Sequence, residues 1–283
     1  MVRLGICSVF KNEAANLEEW ITFHLDQGFT RFYLVDDKST DNPMDVLEPF
    51  VRSGTVTVGT TNNHPLYIDG RQPAAFTAGL KQARGECDWV ALIDSDEFLF
   101  SPNGYIVDHL PKNPFVAGVA IWWRIFGSSG NVTPPAVGVI HGYKQAARFP
   151  RNLTEATEIF QYQNREFFGE RGRVITGNIL QVKCIVRPRM IRQYRVHQPT
   201  KYFGVLVDEN GRKFSRERYL PTHAKLRINH YWSKSLSELA LKEEKFRSDH
   251  ALFEDYLEWE SVLNQEEDTV ILEHLRWQQS RHR

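Results

Sequence analysis

Two kinds of apolar pattern take turns along the first hundred residues. RLGICSVF (3–10), RFYLVDD (31–37), VTVGT (56–60) and WVALID (89–94) are strand-length runs, apolar without strict alternation. Between the first two, Leu17, Trp20, Ile21, His24 and Leu25 recur at helical spacing. Asn16 with Glu19 gives that helix a capping-box pattern, and Gly28 is placed to end it. AAFTAGLKQARG (74–85) predicts a second helix closing at Gly85. Strands separated by helices imply βαβ units and a largely parallel sheet, and unalternating strands fit a sheet covered on both faces. The class expected is α/β, a mixed, mostly parallel sheet flanked by helices.

The pattern changes further on. AGVAIWWRIFGSSG (117–130) predicts a strand running into a glycine-serine loop. VLVDENGRKF (205–214) predicts a hairpin about Asn210-Gly211, and LRINHYW (226–232) a short strand. Ser235 with Glu238 repeats the capping-box pattern and opens a C-terminal helical extension. One domain over 1–283 is expected. It divides for convenience into a half at 1–115, a second part at 116–235 and helices at 236–283.

Composition narrows this picture. Lys+Arg and Asp+Glu are 35 each, so no global field points to nucleic acid or an anionic membrane, and any such role must come from a local patch. Three cysteines without a C-x-x-C pair fit a reducing compartment. VRLGICSVF after Met1 is too short and interrupted for a signal peptide, and no apolar run reaches spanning length. The location expected is the cytoplasm, where the sequons at Asn131 and Asn152 are coincidences.

Candidate chemistry lies at the strand ends. Ligands of open parallel sheets bind beyond the carboxyl ends of the strands. Three strands here end in Lys11-Asn12-Glu13, in Asp36-Asp37-Lys38-Ser39-Thr40-Asp41 and in Asp94-Ser95-Asp96-Glu97. Acids gathered on one edge repel unless a cation or hydrogen-bond donors compensate. On an extended segment Asp94 and Asp96 point to the same side, where Mg2+ or Mn2+ would suit their oxygens. Taken alone, D-x-D leaves a solvated turn open. In LRINHYW, His230 shares a face with Leu226 and Ile228, which by periodicity makes it a buried, hydrogen-bonded histidine.

SVFKNEAANLEEWITFHLDQGFTRFYLVDDKSTDN followed by QPAAFTAGLKQARGECDWVALIDSDEFLF closely resembles the start of GT-A-fold (Rossmann-like) glycosyltransferases, of the family 2-like and family 92-like groups. WWRIFGSSG and INHYWSKSLSEL fit as well, whereas residues 132–225 match weakly. The resemblance implies a UDP-sugar donor and a glycan or lipid-linked glycan acceptor. It places Phe10, Asn12, Glu13, Asp36, Asp37, Arg71, Gln72, Asp94, Ser95 and Lys234 on the donor nucleotide. One of Asp36 and Asp37 would read the uracil and the other the ribose, though Asp and Ser also simply fill turns. Phe10 is equally a core residue by pattern. Asp94, Asp96 and His230 would hold Mn2+ or Mg2+, with Glu97 beside them. Lys234 and the helix start after it would favour the leaving diphosphate.

Trp123, Phe126, Gly127 and Ser128 would face the acceptor. Of Trp122 and Trp123 at most one can do so, since neighbours on a strand point opposite ways. Asn131 stands where the family 92-like pattern has His. Inversion by direct attack of an acceptor hydroxyl is implied, and no general base is assigned; Glu155, Glu158 and Asp208 are carboxylates of the weakly matching part. Arg187, Arg189, Arg192 and Arg195 read as a solvated face or as a surface for a phosphorylated acceptor. Peripheral attachment at the inner face of a membrane is compatible with such an acceptor. A nucleotidyltransferase is the first rival, but KNEAANLEEW lacks the glycine-rich loop it would need. A non-catalytic carbohydrate-binding protein is the second.

Overall fold

The computed structural model describes residues 2–166, 179–246 and 260–281. Two compact units emerge. The first comprises Met1–Ile121, Val182–Phe214 and Ala224–Leu226; the second comprises Trp122–Gln181, Ser215–His223 and Arg227–Arg283.

The first unit is the βαβ array that the pattern predicts. Its elements are β1 (Leu4–Phe10), α1 (Ala14–Asp26), β2 (Phe29–Asp36), α2 (Met44–Arg52), β3 (Val56–Thr60), α3 (Gln72–Ala83), β4 (Trp89–Leu92) and β5 (Glu97–Phe100), then residues 116–121 of β6 (Val116–Phe126). A π turn, Tyr67–Arg71, leads into α3. The chain returns through β8 (Val182–Val186), β9 (Ile191–Tyr194), β10 (Pro199–Tyr202) and β11 (Val205–Asp208). The sheet order is β3-β2-β1-β4-β8-β6-β11. β1 pairs in parallel with β2 and β4, and β2 with β3, so their carboxyl ends share one edge. β8 runs antiparallel to β4. All seven residues of β1 are buried, which accounts for its unalternating sequence. Helix α3 lies so close to β1 that a Cβ on Gly79 would stand 2.2 Å from Cys7 Sγ. The hairpin about Asn210-Gly211 forms as expected, with Val207 bridged antiparallel to Lys213.

The second unit holds residues 122–126 of β6, α4 (Gly138–Gly142), β7 (Gln145–Ala146), α5 (Leu153–Glu166), β12 (Arg227–Tyr231), α6 (Leu236–Phe246), β13 (Glu266–Glu267) and a C-terminal helix (Val270–Arg281). β12 is parallel to β6, with Ile228 opposite Trp123 and His230 opposite Ile125. β7 pairs antiparallel with β6 and with β13. Residues 247–259, expected to be helical, lie outside the described residues.

Some local expectations change. The capping box at Asn16 and Glu19 is not the start of α1, which opens at Ala14 after Glu13 with no side-chain cap. The first N–H is satisfied instead from another loop: Ala14 N–H donates to Asp41 Oδ2 at 2.8 Å. The box at Ser235 and Glu238 does form. Ser235 N–H donates to the Glu238 carboxylate at 3.1 Å, and Glu238 N–H donates to Ser235 Oγ at 3.3 Å. Strand β5 and helix α5 carry no signal that the patterning picked out.

Candidate functional site

Parallel pairing brings the ends of β1, β2 and β4 to one edge of the first unit, and their loops are stitched together there. Asn12, in a left-handed conformation (φ 54°), donates its N–H to Ser39 Oγ at 3.0 Å. Its side-chain oxygen accepts the Thr40 N–H at 2.8 Å. Asp36 shapes its own loop, accepting from Ser39 N–H at 2.9 Å and Ser39 Oγ at 2.5 Å. Phe10 is fully buried beneath these loops, and Glu13 and Ser95 are buried as well.

Asp37 is 2% exposed and anchored from several sides. Arg71 meets it in a fork, Nε to Oδ1 at 2.7 Å and Nη2 to Oδ2 at 3.1 Å. Thr61 Oγ1 donates to Oδ1 at 2.5 Å. Burial alone would raise this carboxyl, but the bonds from Arg71 and Thr61 outweigh it and hold Asp37 below the ordinary value. Arg71 is itself fixed by donation to His64 O and Pro65 O. Arg71, expected on the donor nucleotide, is here the partner of Asp37, one of the two acids expected to read the uracil or the ribose.

The D-S-D-E segment has a counter-charge that the sequence reading did not single out. Lys183, on β8 and 0% exposed, donates to Asp94 Oδ2 at 2.8 Å and stands 3.7 Å from Glu97 Oε1. Gln72 Nε2 donates to Asp94 Oδ1 at 2.9 Å. Asp94 is therefore held on both oxygens by groups of the chain. A signal for Lys183 does exist: in QVKCIV it is the one charge in a strand otherwise fit for a core, and such a lysine needs a carboxylate.

The oxygens of Asp96 and Glu97 lie within 4.8 Å of each other, a separation that one cation could span. Burial, and after it the neighbouring Asp94 and Asp96, push the Glu97 carboxyl well above its ordinary value against the pull of Lys183. Burial and the charges of Asp94, Asp37 and Asp96 likewise raise the Tyr67 hydroxyl, which marks Tyr67 as a neighbour of all three acids.

The remaining candidates lie in the second unit. His230 is 4% exposed, its ring edge-on to Trp123 at 4.3 Å between centroids. Both Trp122 and Trp123 are buried, so neither presents an open ring face. Phe126 is wholly buried and tilts against Tyr231. The glycine-serine loop is clamped from the C-terminal segment. Ser128 N–H donates to Glu260 Oε1 at 2.5 Å and Ser129 N–H to Asn264 Oδ1 at 2.8 Å, and a Cβ on Gly127 would meet Asn264 at 2.5 Å. Glu260 also accepts from Ser233 Oγ. Lys234, left-handed at φ 50° and buried, is 3.8 Å from the Glu238 carboxylate.

Asn131, at the position where His was expected, braces this loop by donating to Ser128 O and Gly142 O. Of the carboxylates considered as bases, Asp208 caps its own hairpin through Asn210 N–H and Arg212, and Glu155 caps the start of α5.

Comparison with known proteins adds to this geometry. Residues 2–252 match the family model for glycosyltransferase family 92. The chain is 32% identical over 143 residues to a glycosyltransferase family 92 protein of Ricinus communis, covering 49% of this chain and 25% of that protein. It is 30% identical over 145 residues to another from Oryza sativa subsp. japonica, covering 49% and 24%. The matched segment thus spans about a quarter of the length of these curated relatives. Solved structures similar to it include S. aureus TarS 1–349 in complex with UDP, at 16% identity and TM-score 0.36, covering 66% of this chain and 47% of that one. Another is glucosyl-3-phosphoglycerate synthase from Mycobacterium tuberculosis with Mn2+, UDP-glucose and phosphoglyceric acid, at 16% identity and TM-score 0.32, covering 66% and 57%.

Proposed function

The chain belongs to glycosyltransferase family 92, and on that footing we propose that it is a GT-A-type enzyme. In this reading it moves a sugar from a UDP-sugar to a hydroxyl of a glycan or glycolipid acceptor, with inversion and with Mn2+ or Mg2+. The observation that carries the reading is the gathering of Asp37, Asp94, Asp96 and Glu97 at the carboxyl edge of a parallel sheet, with Arg71 and Lys183 drawn in against them. The donor set of Asp96 and Glu97 fits a hard divalent cation, being carboxylate oxygens close enough to share one. Such a cation, when bound, would neutralise charge on the departing diphosphate.

The chain's own residues do the rest. Asp37, held ionised by Arg71 and Thr61, keeps a lone pair on Oδ2 for a base N–H: each carboxylate oxygen can accept twice, Oδ1 already does so from Arg71 and Thr61, and Oδ2 accepts once from Arg71. Gln72 and Lys183 fix Asp94 and with it the turn that carries Asp96. His230 takes the further ligand role that the resemblance gives it. Lys234 and the capped start of α6 present positive charge to the diphosphate. The loop after β6 receives the acceptor.

Calorimetry with UDP and Mn2+ tests this. Binding is expected, to be lost on chelation and to weaken about 100-fold or more in Asp96→Ala, the ~2.7 kcal/mol of a ligand contact. UDP should bind far better than ADP or GDP, and Asp37→Asn should erode that preference, because a wrong base leaves buried groups unpaired. Affinity indifferent to chelation and to Asp96 would remove the metal from the account. Equal affinity for all three diphosphates would remove the base-reading role.

A further inference from the structure

Residues 187–207 contain five basic side chains (Arg187, Arg189, Arg192, Arg195 and Lys201) and no acidic one. They form β9, β10 and most of β11, all within the first unit. The same stretch exposes large apolar groups. Phe203 is 58% exposed, with Tyr202 and Val205 beside it, and Phe115 in the neighbouring loop is 73% exposed. Single exposed apolar residues need no explanation, but a set of this kind rimmed by cations marks a contact surface.

The backbone holds the set together. Val205 N–H donates to Phe115 O and Phe203 N–H to Met190 O, each at 2.9 Å. Between them Gly204 has φ 87°, and a Cβ there would lie 2.3 Å from Phe115 O, so glycine is what allows the two aromatic turns to close on each other. Alongside runs an open groove of about 600 Å³ between α3 and β9, with Lys81, Arg84, Arg192, Gln193 and Tyr194 among its walls. Arg84 is fixed there by donating to Pro188 O and Ile191 O. Asp88, the acid whose field reaches Arg189, is already bonded by Arg3 at 2.9 and 3.0 Å.

We propose that this face docks on an anionic phospholipid surface. Phe115, Phe203 and Val205 enter the headgroup layer, while Lys81, Arg192, Arg195 and Lys201 meet lipid phosphates. Juxtaposed cations and apolar side chains are the two signals that reversible membrane attachment needs together. A single-stranded nucleic acid would also meet cations and aromatics, but it needs open ring faces. Arg192 lies over the Phe203 ring, 5.4 Å from its centroid, and covers one face of it. None of these residues is assigned to donor binding, so donor affinity separates this inference from the proposed reaction, although Arg192 and Arg195 belong to the run read above as a solvated face or a surface for a phosphorylated acceptor.

Flotation of the full chain tests it, with vesicles of phosphatidylcholine alone and of equal parts phosphatidylcholine and phosphatidylglycerol. Binding is expected to the mixed vesicles only and to fall with added salt. The double variant Arg192→Gln/Lys201→Gln should bind roughly 30-fold more weakly. Phe115→Ser should weaken the attachment that survives salt. UDP–Mn2+ affinity should be unchanged in all of them, which separates this result from any failure of the transfer reaction. If the double variant melts below the wild type, Lys201→Gln alone, at an exposed strand position, replaces it. Equal binding to both vesicle types, variants that bind as the wild type does, or retention on single-stranded RNA or heparin without vesicle binding would each overturn the proposal.

Discussion

Each unit buries a cluster of charges, and the two clusters are built on different terms. In the second unit Arg124 and Arg227 meet Asp268 at 2.7 and 2.6 Å, Arg124 also reaches Glu266 at 2.6 Å, and Arg227 donates to Asn229 at 2.7 Å. Two acids face two cations, bonded to one another. Burial would raise the Asp268 carboxyl, but Arg227 and Arg124 outweigh it and hold it below the ordinary value. At the strand ends of the first unit the balance tips the other way. Lys183 cannot offset both burial and the neighbouring acids, and the Glu97 carboxyl is pushed up. A closed cluster satisfies itself and serves the fold. A cluster with more carboxyls than cations suits a place where a metal ion binds. The difference teaches that burial and charge alone do not mark a site; how the partners are shared does, two guanidinium groups meeting Asp268 in one unit and one ammonium, Lys183, reaching both Asp94 and Glu97 in the other.

Substitutions at three positions press on this contrast. The largest effect is expected from Asp268→Ala. It removes the acid that both buried guanidinium groups share, leaving Arg124 with Glu266 and Arg227 with the neutral Asn229, and breaking such a pair costs about 3–5 kcal/mol. Denaturant titration should show that loss, and Mn2+ should not restore it. Asp268 also predicts the acid side of stability. Its folded value is depressed, so its contribution is present above the unfolded value of about 3.9 and is lost as pH falls through the folded one. Asp268→Asn should therefore melt lower than wild type near neutrality and flatten the acid limb below about pH 4. An acid limb identical in both proteins would mean that this cluster does not govern it.

Lys183→Met is the counterpart at the strand ends. Removing the ammonium leaves Asp94 and Glu97 facing each other, but Asp94 is part exposed and can rehydrate, so a loss of about 2–3 kcal/mol is expected. Here Mn2+ should recover part of the stability, because a ligand of the folded state alone stabilises it by mass action. The Mn2+-induced rise in melting temperature should be larger in Lys183→Met than in wild type. If Mn2+ raises neither, the surplus charge is not waiting for a cation and the contrast between the clusters collapses.

Much of the first unit was legible because its signals are local. Unalternating strand runs, helical spacing in α1 and α3, and acids at three strand ends need only neighbours in sequence to be seen. What was missed depends on distant partners. Lys183 lies 89 residues from Asp94, and its role appears only when β8 pairs with β4. Arg124 lies 144 residues from Asp268. The cap expected at Asn16 failed for the same reason, since Asp41 supplies the acceptor from another loop. Trp122 and Trp123 differ again: alternation lets at most one of them face an acceptor, and the structure buries both faces of that strand. That strand, VAGVAIWWRIF, is apolar almost throughout, and such an unalternating run is the pattern of a strand covered on both faces.

His230 is the residue on which the two kinds of cluster compete, and the smallest change in stability is expected there. Every residue of β12 is buried, so alternation with Leu226 and Ile228 does not set it apart from Asn229 or Tyr231. Its ring packs edge-on to Trp123, as a core histidine would. His24 shows what a fully structural histidine looks like in this protein: Nδ1 bonds to Trp20 O at 2.7 Å, Nε2 accepts the Leu99 N–H at 3.1 Å, and burial drives its value down to about 3. Removing a histidine of that kind leaves buried partners unsatisfied, at a cost of roughly 1–3 kcal/mol. If His230 instead serves the metal and the leaving group, His230→Ala should lose clearly less stability than His24→Ala. Metal-dependent turnover should fall about 100-fold, the equivalent of ~2.7 kcal/mol of transition-state stabilisation, and the Mn2+ requirement should rise. Both measurements belong on the one variant, with melting followed without ligand and rate followed with donor and Mn2+. His24→Ala is the control, expected to melt much lower. Should His230→Ala behave like His24→Ala in melting and keep near-normal turnover, His230 joins the closed clusters, and the cation must then be held without it.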